Sequence, residues 1–232
     1  MDGFYSLIGQ PQVVEILQQA IAKNRIAPAY LFVGPMGVGK SLAAKIFAEQ
    51  LLALGLTTEE QERAKKRFFA GNHPDLLWIE PTYQHQGKLL TAQEAESSGL
   101  KRKAPPLIRI EQVREINQFL SRPPLEAQQA VIVIVEAQTM NEGAVNALLK
   151  TLEEPGRATL ILLAPSVDSL LPTLVSRCQR IPFARLSLED LELVLVRRGE
   201  TNVLAYPELL AIAQGSPGAA LYGYEQLQAI PF

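Results

Sequence analysis

Ala29-Tyr30-Leu31-Phe32-Val33-Gly34-Pro35-Met36-Gly37-Val38-Gly39-Lys40-Ser41 is the stretch on which the fold of this 232-residue chain turns. Its first five residues are apolar and of buried-strand length, and they run straight into a complete G-x-x-x-x-G-K-[ST] spacing from Gly34 to Ser41. Lys40 to Leu54 then reads as a helix with Gly55 at its end. A strand, a glycine-rich turn and a helix in that order make a phosphate-binding loop. The glycines let the backbone curl until successive N–H groups point inward, and the helix adds its positive N-terminal end. Gly34, Pro35, Met36, Gly37, Val38, Gly39, Lys40 and Ser41 are therefore the candidate nucleotide-binding residues. Lys40 is placed to reach the beta and gamma phosphates, and the Ser41 hydroxyl to ligate magnesium. At average residue usage such a match arises by chance in about one chain of this length in a hundred.

Outward from the loop, the pattern alternates. Before it, Val13, Ile16, Leu17, Ala20 and Ile21 recur at helical spacing between Gln12 and Asn24, with Pro11 where the first turn has no hydrogen bond to lose. After it come a charged helix from Glu59 to Phe69 and a second buried strand from Leu76 to Ile79. Pro81 to Pro106 breaks the rhythm with Gly87, Ser97-Ser98-Gly99, Lys101-Arg102-Lys103 and Pro105-Pro106, and reads as a long, partly mobile insertion. A helix from Ile110 to Leu120, a strand from Val131 to Val135, a helix from Asn141 to Glu154 and a strand from Thr159 to Leu163 follow. A short helix precedes Ser176, and a last strand falls at Gln179 to Pro182. Strands alternating with helices imply an α/β fold, a mostly parallel sheet covered on both faces. Beyond Pro182 only helices are expected, over Leu186–Arg198, Tyr206–Ala213 and Ala219–Leu227, which divides the chain into domains 1–183 and 184–232.

Composition narrows the function. With 47% hydrophobic residues, global disorder is excluded. A balance of 22 Lys+Arg against 24 Asp+Glu argues against a surface built wholly for nucleic acid. The single cysteine, Cys178, excludes an internal disulfide and a multi-cysteine zinc site, and it reads as a small core residue. His73 and His85 have no clustered ligand partners in the sequence. The N-terminus lacks a signal peptide and no apolar run approaches the ~20 residues of a membrane span, so a soluble, cytoplasmic chain is expected.

Hydrolysis at such a loop needs a magnesium-holding acid at the end of a neighbouring strand, often followed by a glutamate that polarises water. The strand ends Val133-Ile134-Val135-Glu136-Ala137-Gln138. Glu136 is the candidate catalytic acid. Either it is the second of the pair and Val135 replaces the aspartate, or it is the first and Ala137 takes the water-polarising place. Both readings leave the site one acid short and imply weak or absent turnover.

The run Asn141-Glu142-Gly143-Ala144-Val145-Asn146-Ala147-Leu148-Leu149-Lys150-Thr151-Leu152-Glu153-Glu154-Pro155 resembles the helix after that strand in clamp-loader ATPases of the AAA+ class. Leu7-Ile8-Gly9-Gln10 resembles the family's box beside the adenine. Asn72-His73-Pro74-Asp75-Leu76 resembles the start of the second strand in the delta-prime subunits of bacterial DNA polymerase III, and residues 83 to 110 look most like the cyanobacterial form. Leu174-Val175-Ser176-Arg177-Cys178 resembles the Ser-Arg-Cys motif that carries an arginine finger.

The resemblance implies an AAA+ parallel sheet sandwiched by helices and followed by a small helical lid. It implies a component of the DNA polymerase III holoenzyme acting as a stator, with Arg177 as a catalytic residue that serves the ATP of a neighbouring subunit. ATP or ADP with magnesium is the implied cofactor, and gamma/tau and delta subunits, the sliding clamp and primer-template DNA the implied partners. Several family features depart. No cysteine lies between Leu54 and Gly71, where many relatives bind zinc, so no zinc is expected. Gly218 stands where hydrolysing subunits carry an arginine, and only Ser166 is available as a polar sensor. The helical collar domain of the family has no counterpart before Phe232, so the expectation is either a fragment, which would be a monomer in isolation, or a chain without the usual oligomerisation element. An ATP-hydrolysing gamma/tau-like motor is the alternative. A small-molecule kinase whose lid carries Arg197 and Arg198 stands further off. Lys101-Arg102-Lys103 is either a solvated loop or a contact to nucleic-acid phosphates.

Overall fold

The structure is a computed structural model that describes residues 2–99 and 104–229. Its centre is a five-stranded parallel sheet built from β1 (Ala29–Val33), β2 (Leu76–Ile79), β5 (Ala130–Ile134), β6 (Ala158–Ala164) and β7 (Gln179–Pro182), in the order β2-β5-β6-β1-β7. β1 lies between two strands that follow it far along the chain: Ala29 pairs with Leu160, and Tyr30 with Gln179.

Strand alternation sorts the core into two layers. Tyr30, Phe32, Val131, Val133, Ile161 and Leu163 face one side, where α1 (Pro11–Ala22) and α2 (Lys40–Ala53) pack. Leu31, Ile132, Ile134, Leu160 and Leu162 face the other, against α5 (Ile110–Leu120) and α6 (Glu142–Glu153). With both faces covered, the three central strands are buried throughout, as a parallel sheet requires. Helix starts follow local chemistry. Pro11 opens α1, Thr57 and Glu60 form a capping box on α3 (Thr58–Phe69), and Asn141 Oδ1 accepts the Ala144 N–H at 2.9 Å to cap α6.

The strands and helices expected from the sequence are present within a residue or two at each end. β5 stops one residue early, because Glu136 adopts a left-handed conformation (φ 52°) that cannot continue a strand. The Pro81–Pro106 interval is more ordered in form than its composition suggests. It contains a hairpin of β3 (Tyr83–His85) and β4 (Lys88–Leu90) and a helix α4 (Ala92–Ser97) capped by Thr91 and Glu94. Gln86 and Gly87 both have positive φ, the two-residue turn whose twist suits a hairpin. The basic run 101–103 lies outside the described residues.

After β7, three α-helices follow: α8 (Leu188–Arg197), α9 (Pro207–Ala213) and α10 (Pro217–Gln228). They share a core with the sheet. Leu186, Leu191, Leu195, Val203 and Leu210 belong to the same apolar cluster as Phe32, Phe47 and Phe183. α7 (Pro172–Val175) connects β6 to β7 on the opposite face.

Candidate nucleotide cleft and arginine finger

A cleft of about 690 Å³ opens at the carboxyl ends of β1, β5 and β6, the edge of a parallel sheet where ligands are bound. The 34–41 loop forms its floor. Ser6, Leu7 and Ile8 line one wall, Glu136 and Pro165 another, and Arg197 and Arg198 close the helical side. The loop ends on Gly39 (φ 103°), from which α2 starts with no side chain capping its first turn. Those N–H groups are therefore available to an anion.

Lys40 is the charge at the centre of the cleft. Its Nζ donates to the carbonyls of Gly34 and of Pro35, the latter at 2.6 Å. Burial pushes its pKa down to about 8, and the opposing charge of Glu136 pulls it up. Cleft volume, bare helix terminus and ammonium together fit a nucleotide. Ser41 Oγ and the Glu136 carboxylate are the oxygen donors that would hold magnesium beside its phosphates, and Val135 offers no third. Ser166 is exposed and stands outside the cleft wall, where Ala164 and Pro165 lie instead. Gln138, which spacing did not single out, lines the cleft with its Oε1 buried and without a partner among the described residues.

The loop is clasped from the helical side. Gly218 N–H donates to the Gly37 carbonyl at 3.1 Å, and Ser216 Oγ donates to the Met36 carbonyl at 2.7 Å while capping Ala219 N–H at 3.1 Å. Gln10, buried, donates to the Ala184 carbonyl at 2.7 Å and to Val38 at 3.4 Å, and accepts from Ala184 N–H at 3.1 Å. A Cβ on Gly218 would stand 2.7 Å from Gly37 Cα, so this position has no room for any side chain. Backbone meets backbone here, so an arginine at this position could not be accommodated without moving the loop or the helix.

Arg177 lies elsewhere, outside the residues that line the cleft. It follows α7, with its side chain 37% exposed. It donates to the Thr173 carbonyl at 3.0 Å and to Glu153 Oε1 at 2.9 Å. The next residue, Cys178, has its thiol pushed up to about 11 by burial, which keeps it protonated near neutral pH. His73 and Asp75 are structural. The Asp75 carboxylate, 2% exposed, accepts the N–H groups of Leu125, Glu126 and Ala127 at 2.7, 2.8 and 2.7 Å. His73 Nδ1 accepts the Asp75 N–H, and burial holds its pKa down. Among the described residues no group of three or more His, Cys, Asp or Glu is placed to hold a metal, and no helix is long and apolar enough to cross a membrane.

Comparison with known proteins places these features in a family. Residues 9–187 match the family described as DNA polymerase III, delta subunit, and residues 189–232 match the cyanobacterial DNA polymerase III delta prime C-terminal domain. The delta-prime subunit of Bacillus subtilis is 34% identical over 186 residues, covering 79% of this chain and 50% of that protein. That of Pseudomonas aeruginosa is 36% identical over 201 residues, covering 82% and 54%. The chain thus spans about half the length of these relatives. The tau subunit of Bacillus subtilis is 30% identical over 217 residues, covering 92% of this chain and 33% of that one. In fold, the chain is similar to a gamma subunit-related protein of Thermotoga maritima, with TM-score 0.55 and 20% identity over 91% of this chain and 57% of that one. It is also similar to the RuvB branch migration motor of the same organism, with TM-score 0.56 and 15% identity over 93% and 60%. A strand, a glycine-rich loop and a helix opening on the cleft, a Ser-Arg-Cys turn away from it and these two adjoining matches agree: the chain belongs to the delta-prime family of DNA polymerase III, with a C-terminal domain of the cyanobacterial kind.

Proposed function

We propose that this chain is a clamp-loader subunit that works as a stator. It holds ATP or ADP with magnesium at Gly34–Ser41, turns it over poorly or not at all, and lends Arg177 to the ATP of a neighbouring gamma/tau-type subunit. The observation that carries the reading is the separation of two halves of one chemistry. Lys40, Ser41 and Glu136 converge on the cleft, whereas Arg177 stands outside it with its guanidinium exposed. An arginine that cannot serve its own nucleotide is suited to serve another's. Its planar, always-charged fork matches phosphate oxygens, and such fingers contribute ~10³–10⁵ in rate.

In this chain the residues bind and orient. Lys40 and the first turn of α2 hold the beta and gamma phosphates, and the apolar Leu7 and Ile8 sit where a base is sheltered from water. Magnesium, when bound, screens phosphate charge beside Ser41 and Glu136. With Val135 apolar and Gly218 without a side chain, the stimulus to cleavage is weak. Residues 1–183 then serve as the nucleotide-binding unit and 184–232 as its lid, in a cytoplasmic complex with gamma/tau and delta subunits that loads the sliding clamp on primer-template DNA. The 30% identity to a tau subunit over 92% of the chain favours the motor alternative.

One pair of measurements separates the two readings: ATP binding and turnover by the purified chain, and ATPase of the reconstituted complex containing Arg177→Ala. The stator is expected to bind without turnover, and the variant complex to lose at least a hundredfold in rate. Turnover by the isolated chain that Lys40→Ala abolishes would establish the motor instead.

A further inference from the structure

Arg177 is held by two acceptors on two different elements: the Thr173 carbonyl in α7 and Glu153 Oε1 on the last residue of α6. Ser176 Oγ donates to the same Thr173 carbonyl at 3.1 Å, so the hydroxyl and the guanidinium of the motif share one anchor. We propose that Glu153 is a positioning residue for Arg177, aiming the guanidinium of this subunit at the phosphates of its neighbour's nucleotide. The inference rests on reading Arg177 as a finger in trans.

Stability does not explain Glu153. Its side chain is 57% exposed and that of Arg177 37%, and an ion pair so placed contributes little to folding. A carboxylate at the last residue of a helix also opposes the negative pole of the helix dipole, where Lys or Arg would be favoured. What the pair does accomplish is geometric. An arginine side chain left to itself spreads over many rotamers, and a finger must give up that freedom when it meets phosphate. Two hydrogen bonds, one to backbone and one charge-assisted, fix the plane of the fork before the neighbour arrives. Because the carboxylate bond is exposed to water it is readily exchanged for phosphate, and the guanidinium carries further N–H donors for that contact. The α6 helix that presents Glu153 begins at Glu142, six residues after Glu136 at the cleft. One helix therefore joins the chain's own nucleotide site to the residue that aims its finger.

The test uses the reconstituted complex of this chain with gamma/tau-type and delta-type subunits from its own source, purified intact in each variant. Glu153→Ala should lower the kcat of ATP hydrolysis about three- to tenfold, the scale of the rotamer freedom restored. KM for ATP and the Tm of the isolated chain should not change. Glu153→Gln keeps an oxygen acceptor in place and should recover most of the rate. Arg177→Ala is measured alongside. If it collapses the rate while Glu153→Ala leaves kcat unchanged or raises it, the positioning role is overturned and the finger stands. A fall in kcat accompanied by a loss of several degrees in Tm would make Glu153 structural and overturn the role too. If Arg177→Ala itself changes nothing, the finger reading falls, and this inference with it.

Discussion

Lys40 and Asp75 show how much one residue's setting alters what its type predicts. Spacing alone assigns Lys40 to phosphate, but only the cleft reveals its ammonium as half-desolvated, with a pKa near 8. Below that pH both folded and unfolded chains hold the proton, so the burial cost is fully present. Between about 8 and the ordinary lysine value the unfolded chain holds more protons, and this group's contribution to stability rises with pH. Phosphate binding moves the other way, since it needs the charged form. Nucleotide affinity should fall by about tenfold per unit at most above pH 8, and fluorescent-nucleotide titrations from pH 7 to 10 would show it. Glu136→Gln removes the charge that supports the ammonium and should start the fall at lower pH; Lys40→Met should flatten the profile. Asp75 read in the sequence as part of a family signature, and its role was invisible there because the N–H groups it satisfies lie fifty residues away. Asp75→Ala leaves them without a partner, and should cost about 3 kcal/mol or more in urea unfolding.

The element that most repays inspection is the first turn of α10. With the two residues before it the sequence is Gly215-Ser216-Pro217-Gly218, which alone looks like an ordinary capped helix start. Folded, it is a clasp in which Ser216 and Gly218 hold the Met36 and Gly37 carbonyls. Placing an arginine in this turn by Gly218→Arg should therefore not create hydrolysis. It should force α10 from the loop, lowering Tm by several degrees and weakening nucleotide binding, both readable by thermal shift with and without ATP. Ser216→Ala loses a cap and the Met36 contact together, and about 1–2 kcal/mol of stability is expected to go with them. The β3–β4 hairpin is not legible in composition because three-residue strands carry no periodicity to detect. The Gln86-Gly87 turn was the available signal. Long, regular elements such as α2 and β6 were legible because burial on a parallel sheet leaves continuous apolar runs.

Across the whole molecule, the architecture was readable because one loop spacing dictates what must precede and follow it. Which residues share a site was less so, because parallel crossovers bring together residues distant in sequence. Arg177 and Glu153 are the clearest example: each falls in a family motif, and only the packing of α6 on α7 joins them. The same assembly limits repair by a single change. Val135→Asp supplies the missing oxygen at the cleft and should tighten magnesium-dependent ATP binding several-fold, yet turnover by the isolated chain should remain absent, as release of labelled ADP would report. The strand order has another consequence, one that concerns synthesis. β1 emerges early, but its partners β6 and β7 are made much later, Ala29 waiting for Leu160 and Tyr30 for Gln179. At ribosomal speeds that interval is on the order of ten seconds. Throughout it both edges of a five-residue apolar strand lack a partner, so a nascent chain stalled before β6 should be recognised as unfinished by the chaperones and proteases that patrol exposed apolar segments.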